Sequence, residues 1–441
     1  MGAAEPSGSA PLAVFRSLGQ LGPDWWAGRR RAAMDAFEAR GFPTKRWEMW
    51  KHIDLRPVLA GDFRPVVRPG DPGDGLAPLE RLLPDAPRVV LVDGRIDVAR
   101  SRLDGLPAGV AVTALDEAVE RGEPWLREHL AAHADVAVNP FVALNTALSV
   151  GGIAIHVAPR TVVETPILVA CFTTAAAVGH AVYPRVLVCG GEASQVTVVE
   201  WHGGAAGAAY LTCPVTELVA DAGGIVDLVR IAEEGDQGCC VGAVSGRTAR
   251  DGRVSAHSFV AGGRRIRLDM EAKVCGENAE GELTGLYVTG DQHFIDHHTW
   301  VHHDAEHTRS RQIFKGVLDG KSEAVFDGMI KVHPGAQKTD AEQQNRNLVL
   351  SKRSLAHSDP RLEIYADDVR CTHGSTVGEL DEDAIFYLRA RGIDEAAARG
   401  ILTFAFAGEV LDLVRCPGAA AYEKAVLGRW LPGGDDMGAF E

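Results

Sequence analysis

From about residue 150 to 370 the sequence breaks into short β-type runs punctuated by Gly, Pro and Asp. Examples are GIAIHVA (152–158), TPILVAC (165–171), RVLVCG (185–190), QVTVVEW (195–201), GIVDLVRI (224–231) and GELTGLYVTG (281–290). The runs often recur at roughly 10–15-residue intervals, and no long helix fits between them. That texture fits a sandwich, a barrel or a solenoid of strands. The stretch is long for one sandwich, which favours a β-helix whose coils stack on one another, although no exact repeat is visible.

The flanks read differently. Residues 1 to about 145 are mainly helical in pattern, with one strand-like interruption at RVVLVDGRI (88–96). WWAGRRRAAMDAFEARG (25–41) contains good helix formers and ends on Gly41 as a stop. In DEAVERGEPWLREHLAAH (116–133), Pro124 starts a second set of turns. After Gly378, DEDAIFYLRARG (381–392) has Asp381 as N-cap and Gly392 as stop. A second helix follows over 394–414, capped by Asp394, with an apolar stripe through Ile401, Phe404, Val410, Leu411 and Val414. Such a hairpin serves either as a cap on its own chain or as a docking surface. The expected division is therefore 1–148 mainly helical, 149–378 β-helix and 379–441 helical.

Charge and cysteine usage narrow the function. A formal net charge of −15 over 441 residues argues against nucleic-acid binding and against docking on an anionic membrane. No run approaches the roughly 18 apolar residues of a transmembrane helix. The N-terminus lacks the basic and apolar regions of a secretory signal, and its MGAAEPS is a poor acylation pattern. The eight cysteines are scattered without a CxxC, as expected of free thiols in a reducing cytoplasm.

Three motifs invite chemistry. GVLDGKS (316–322) has the wrong spacing for a phosphate-binding loop, with Lys315 where a Gly is needed, and a strand-like EAVFDGMIKV follows. The chain is expected to bind no ATP there. DQHFIDHHTWVHHDAEH (291–307) contains six histidines. On a helix their i, i+4 spacing would suit zinc, but Ile295, Thr299 and Val301 favour a strand. A strand puts His293, Ile295, His297, Thr299, Val301 and His303 on one face. Finally, Cys371 and His373 in DDVRCTHGSTVGEL (367–380) share a face in extended chain. Thiolate and imidazole together ligate soft or borderline metals or an iron–sulfur cluster, and they also occur as nucleophile and base.

The segment from His297 to Ile393, above all LEIYADDVRCTHG followed by FYLRARGI, resembles the SufB/SufD family of iron–sulfur cluster assembly subunits. Weaker similarity continues through GIAIHVAPRTVVETPILV (152–169) and EMWKHIDLRPVL (48–59), where His52 and Ile53 depart from a Trp-Lys-Tyr-Thr-type pattern. Cys371-Thr372-His373-Gly374-Ser375 is similar to the Cys-Ser-His-Gly-Ala of the SufD branch rather than the His-Glu-Ala of SufB.

This resemblance implies a mainly β fold, a right-handed parallel β-helix flanked by helical domains. It implies a cytoplasmic, non-catalytic scaffold that pairs with SufB through the β-helices, or with itself when alone. It also implies docking of the ATPase SufC on the C-terminal hairpin, through Phe386, Leu388, Ile401, Phe404 and Val410. His373 with Cys371 would hold a transient iron or iron–sulfur cluster at the SufB interface, and a reduced flavin is admitted in the complex. For the histidines of 291–307 the family context favours an ordinary strand and turn. Two rival readings remain open: a β-helix carbohydrate-active enzyme, and a metal-storing or metal-sensing protein using residues 293–307.

Overall fold

The computed structural model describes residues 9–431. The MGAAEPS acylation pattern lies outside the described residues. The N-terminal part carries α1 (Ser9–Leu18), α2 (Asp24–Arg40) and α3 (Leu79–Leu82). The strands β1 (Arg88–Val92), β2 (Arg95–Ile96) and β3 (Val110–Ala114) come next. The helices α4 (Leu115–Arg121), α5 (Pro124–His129) and α6 (Pro140–Leu148) lead into the main β region.

Local signals account for most of these boundaries. The helix expected at 25–41 is α2, closed where Gly41 takes φ 69° and its N–H reaches the Phe37 carbonyl. A side chain would resist that backbone conformation. Pro124 opens α5, as its fixed φ allows. The region is less purely helical than its pattern, because β3 pairs antiparallel with the first strand of the main β region (Val112↔Ile155). Pairing with a distant partner decides that segment, and no local signal announces it.

The main β region starts with β4 (Gly152–Val157), β5 (Ile167–Thr173), β6 (Ala181–Val182) and β7 (Arg185–Gly190). It continues through β8 (Gln195–Gly204), β9 (Leu211–Thr212), β10 (Val215–Ala220) and β11 (Ile225–Glu233). Next come β12 (Cys239–Thr248), β13 (Arg253–Val260), β14 (Arg265–Val274) and β15 (Glu280–Thr289). The final strands are β16 (Phe294–His303), β17 (Arg309–Leu318), β18 (Glu323–Val332), β19 (Asp340–Val349), β20 (Leu355–Ile364) and β21 (Arg370–Gly378).

Successive strands alternate between two facing sheets, giving a parallel β-solenoid of about eight turns. One sheet runs β2-β1-β5-β8-β11-β13-β15-β17-β19-β21, the other β20-β18-β16-β14-β12-β10-β7-β4-β3. Because coils stack in register, every inward residue lies beneath its counterpart on the next coil. One such column reads Val196, Val226, Val254, Gly281, Ser310, Ala341 and Cys371. Valine and isoleucine suit these positions, since branched side chains pack well on a pleated surface. Each large apolar side chain buried there contributes roughly 1.5–3 kcal/mol.

The helical flanks pack on the outer faces. Glu217 on β10, fully buried, accepts hydrogen bonds from the N–H groups of Ala131, His133 and Ala134 and pairs with Arg185 on β7 at 2.7 Å. Burial alone would raise the Glu217 carboxyl, but Arg185 and the His133 N–H outweigh it and hold the carboxyl below its usual range. Arg185 also donates to Asn145 and Thr146 of α6. One ion pair thus ties three segments together.

At the other end stand α7 (Glu382–Arg389), α8 (Glu395–Leu411) and α9 (Pro417–Trp430). Asp381 caps α7 by accepting from Asp383 and Ala384 N–H, and Asp394 caps α8 through the Ala397 N–H. Val410, Leu411 and Val414 pack with Val288 and Val317 of the solenoid. Lys315 on β17 donates to the Phe406 carbonyl at 2.7 Å and so anchors α8. No described helix is long and apolar enough to cross a membrane.

Candidate functional site

The solenoid ends on β20 and β21, which have neighbours on one side only within their sheets, β18 and β19 respectively. Cys371 and His373 lie on β21, aligned with Ala341 and Gln343 of β19. Ala341 and Gln343 are buried inward residues, so both site residues lie in inward-facing register positions at the uncovered end. With no coil above it, His373 is exposed, whereas Cys371 is half-buried against the last apolar cluster. Burial, and then the nearby Asp340 carboxylate, push the Cys371 thiol above its ordinary range. At neutral pH it is a protonated thiol, which a bound metal would convert to a ligand by displacing the proton.

The solenoid interior changes character as it approaches this end. The column under His373 runs Val198, Leu228, Ala256, Leu283, Gln312, Gln343, His373: apolar through four coils, then polar through three. Gln343 Nε2 donates to Gln312 Oε1 at 3.1 Å, while Gln343 Oε1 is buried without a hydrogen-bond partner. A second polar series begins at Tyr287, whose hydroxyl donates to Asn347 Oδ1 at 2.7 Å and accepts from Asn345 at 3.1 Å. Ser358 on β20 donates to Asn345 Oδ1 at 2.7 Å, and Ser375 on β21 donates to Ser358 at 2.7 Å. Most buried amides and hydroxyls in proteins are partnered, as nearly all of these are. The two final strands are therefore joined through side chains as well as by the chain itself.

The sequence reading found Cys371 and His373 but not the polar residues beneath them. Their signal was present in β19: the alternate positions Gln343, Asn345 and Asn347 are polar and nearly inaccessible. On the outward positions, Gln344 and Arg346 are also polar, so hydropathy alone does not separate the two faces.

The histidine-rich segment is β16, with alternate residues on opposite faces. His297 and His303 face inward and are fully buried; His297 meets Ser258 at 3.0 Å, and His303 meets Thr308 and Ser310 at 2.8 and 2.9 Å. Burial lowers both imidazoles to about 4. His298 and His302 point outward onto Asp296 and Glu271 at 3.0 and 3.2 Å. His293 precedes the strand and His307 lies in the following turn at φ 59°. The shared face of 295, 297, 299, 301 and 303 is as expected of a strand, and the two inward histidines, His297 and His303, each have a hydrogen-bond partner within the chain.

The hairpin residues divide. Phe386 is 73% exposed and Leu388 is half-buried on α7. Ile401 and Phe404 on α8 are half-buried. Val410 corrects the expectation: it is fully buried against the solenoid. It secures the hairpin to its own chain and offers nothing to a partner. α8 turns its apolar stripe onto the solenoid, and α7 packs on α8 with Phe386 and Tyr387 left exposed.

Residues 172–406 match the family described as SUF system FeS cluster assembly, SufBD core domain, and residues 23–169 match the SufBD protein N-terminal region. The chain is 32% identical to the iron–sulfur cluster assembly protein SufD of Escherichia coli, covering 89% of this chain and 90% of that one. It is 28% identical to an iron–sulfur cluster assembly SufBD family protein of Synechocystis, over 88% and 87% of the two chains. A SufBD family protein of Mycobacterium tuberculosis is 30% identical over 68% of this chain and 75% of its own. With a parallel solenoid that ends on an inward-facing histidine, and a match spanning both of its regions, the chain belongs to the SufB/SufD family of iron–sulfur cluster assembly proteins.

Proposed function

We propose that this chain is a non-catalytic scaffold subunit of a cytoplasmic SUF assembly complex. It pairs with a SufB-type subunit through the terminal coil and receives the SufC ATPase on its C-terminal helices. The observation that carries this reading is His373 in an inward-facing position on a strand with no coil above it. A second solenoid seated on β21 would place its own inward residues beside His373 and Cys371, forming a chamber lined by imidazole and thiol. Iron and the nascent cluster are cargo in this scheme. His373 offers a ring nitrogen and Cys371 a sulfur, few enough ligands from this chain for the product to leave.

Unpaired N–H and C=O groups along β21 favour strand addition as the mode of pairing. Phe386 and the neighbouring Tyr387, 56% exposed, give α7 an aromatic surface of the kind that anchors protein partners. ATP binding and dimerisation of SufC would then pull on α7 and α8. The Lys315 anchor and the packing of Val410 would transmit that strain to the solenoid, opening the joint around His373.

The test is anaerobic iron–sulfur reconstitution of the co-purified complex, wild type against His373→Ala, read by ultraviolet–visible absorption. Charge-transfer bands in the wild type and their loss in the variant are expected. Equal bands in both would remove His373 from the assembly site.

A further inference from the structure

A second cluster of ligand atoms lies on the outer surface of the same end. His357 on β20 and Glu323 on β18 are outward residues, with His357 Nε2 3.2 Å from Glu323 Oε1. His52 arrives from the N-terminal segment, its ring stacked on that of His357 with centroids 4.3 Å apart and planes inclined by 28°. One ligand atom from each of the three lies within 4.8 Å of the other two, and all three residues are half-buried. Among the described residues this is the one group of three or more such side chains that meets that distance.

From these positions we propose that His52, Glu323 and His357 form a divalent transition-metal site, of the zinc or ferrous-iron class, that fastens the N-terminal segment to the last coil of the solenoid.

Two imidazoles and one carboxylate form a donor set that suits those ions and rejects calcium and magnesium, which prefer oxygen alone. The set is closely spaced, so small side-chain rotations would bring its atoms around one ion. Its supports are also rigid. Met49 and Trp50, just before His52, are held by Arg267: the guanidinium donates to the Met49 carbonyl at 2.6 Å and lies 3.8 Å over the Trp50 ring. Arg267 is itself fixed by Asp296 at 2.7 Å, and Trp50 stacks on Phe141 with centroids 5.6 Å apart. Glu323 and His357 belong to neighbouring strands of one sheet, so their spacing is set by the ladder.

The charged side chain nearest the site in sequence is Lys51, which precedes His52. Lys51 is engaged by Glu48 at 2.7 Å and lies 3.8 Å from Asp359, so its charge is partly neutralised. Two stacked imidazoles with one hydrogen bond to a carboxylate can also stand alone as a polar contact, and metal titration separates the two cases. An ion here would tie residues remote in sequence at the outer surface of β20. The inward Ser358 of the same strand meets β21, so metal binding would stiffen the coil that carries His373. The site itself is independent of the assembly role proposed above.

The experiment is anaerobic titration of the tag-free, chelator-stripped full-length chain with Co²⁺, followed by its visible ligand-field absorption. Saturation at one equivalent, and displacement of the cobalt by Zn²⁺, are expected of the wild type. His52→Ala, His357→Ala and Glu323→Gln should each weaken binding by roughly tenfold or more. Glu323→Gln is isosteric and keeps the fold if either alanine variant fails to. His373→Ala should bind as the wild type does, which separates this site from the proposed assembly site. Absence of saturable binding, or affinity unchanged in Glu323→Gln and both histidine variants, would overturn the proposal.

Discussion

Gln343 sits one coil beneath His373, in the same inward column, with its carbonyl oxygen buried and unpartnered. A buried acceptor without a donor is costly, and the nearest register position carries an imidazole that can supply an N–H. On the assembly reading, Gln343 fixes the orientation of that ring. Gln343→Leu is therefore expected to leave stability within about 1–2 kcal/mol of wild type, since it removes an unpaired acceptor along with one hydrogen bond. Cluster yield in the reconstituted complex should fall severalfold. Thermal unfolding and reconstitution on the same preparation separate the two effects; unchanged yield would make Gln343 a filler only.

The Arg185–Glu217 pair is fully buried and carries three backbone N–H bonds besides. Removing one member leaves the other charge without compensation, which typically costs about 3–5 kcal/mol. Glu217→Ala should lower the unfolding midpoint in urea sharply. Limited proteolysis should cut first between α5 and α6, where Ala131, His133 and Ala134 lose their acceptor. A small change in the midpoint would mean that the N-terminal helices are held mainly by apolar contact.

Acid stability follows from four buried histidines. His133, His202, His297 and His303 are lowered to about 4, in each case chiefly by burial. A group whose folded value lies below its unfolded one stabilises the fold above the unfolded value, near 6.5, and that contribution is lost as pH falls toward 4. Glu234 works in the opposite sense. Burial raises it to about 7 despite hydrogen bonds from Tyr210 and Thr212. Its contribution is present below about 4.5 and is lost as pH rises through 7. Glu234→Gln should therefore raise the melting temperature more at pH 8 than at pH 5. The wild type should lose stability steadily between pH 6.5 and 4, as melting curves across that range will show.

Phe386 and Val410 give opposite expectations within one hairpin. Phe386→Asp should leave melting unchanged, because the ring is 73% exposed, and on the proposed docking should abolish co-purification with SufC. Val410→Asp buries a carboxylate against the solenoid and should destabilise the chain whether or not a partner is present. Co-purification unaffected by Phe386→Asp would place the ATPase elsewhere.

Signals within a few residues carried furthest in the sequence. The caps at Asp381 and Asp394, the stop at Gly41 and the strand over 294–303 each follow from neighbours along the chain. β3 was missed because its partner, β4, lies some forty residues on and its own pattern is short. The apolar stripe at Val410 could be read, but not its destination, since a stripe facing the chain's own sheet and one facing a partner have the same spacing. Cys371 and His373 were legible through spacing and resemblance. His52, Glu323 and His357 come from three distant segments and meet only because the fold brings β18 and β20 beside the irregular N-terminal segment around His52.

β20 carries Pro360 at its centre, opposite Gly328, a residue tolerated in a strand at the margin of a sheet. β21 has no proline and keeps its ladder whole. A chain added at this end would meet a full row of donors along β21 and a row lacking one donor, at Pro360, along β20. Any such joint would be held more weakly on the β20 side than on the β21 side, and a force that pulled the two solenoids apart would part the β20 side first.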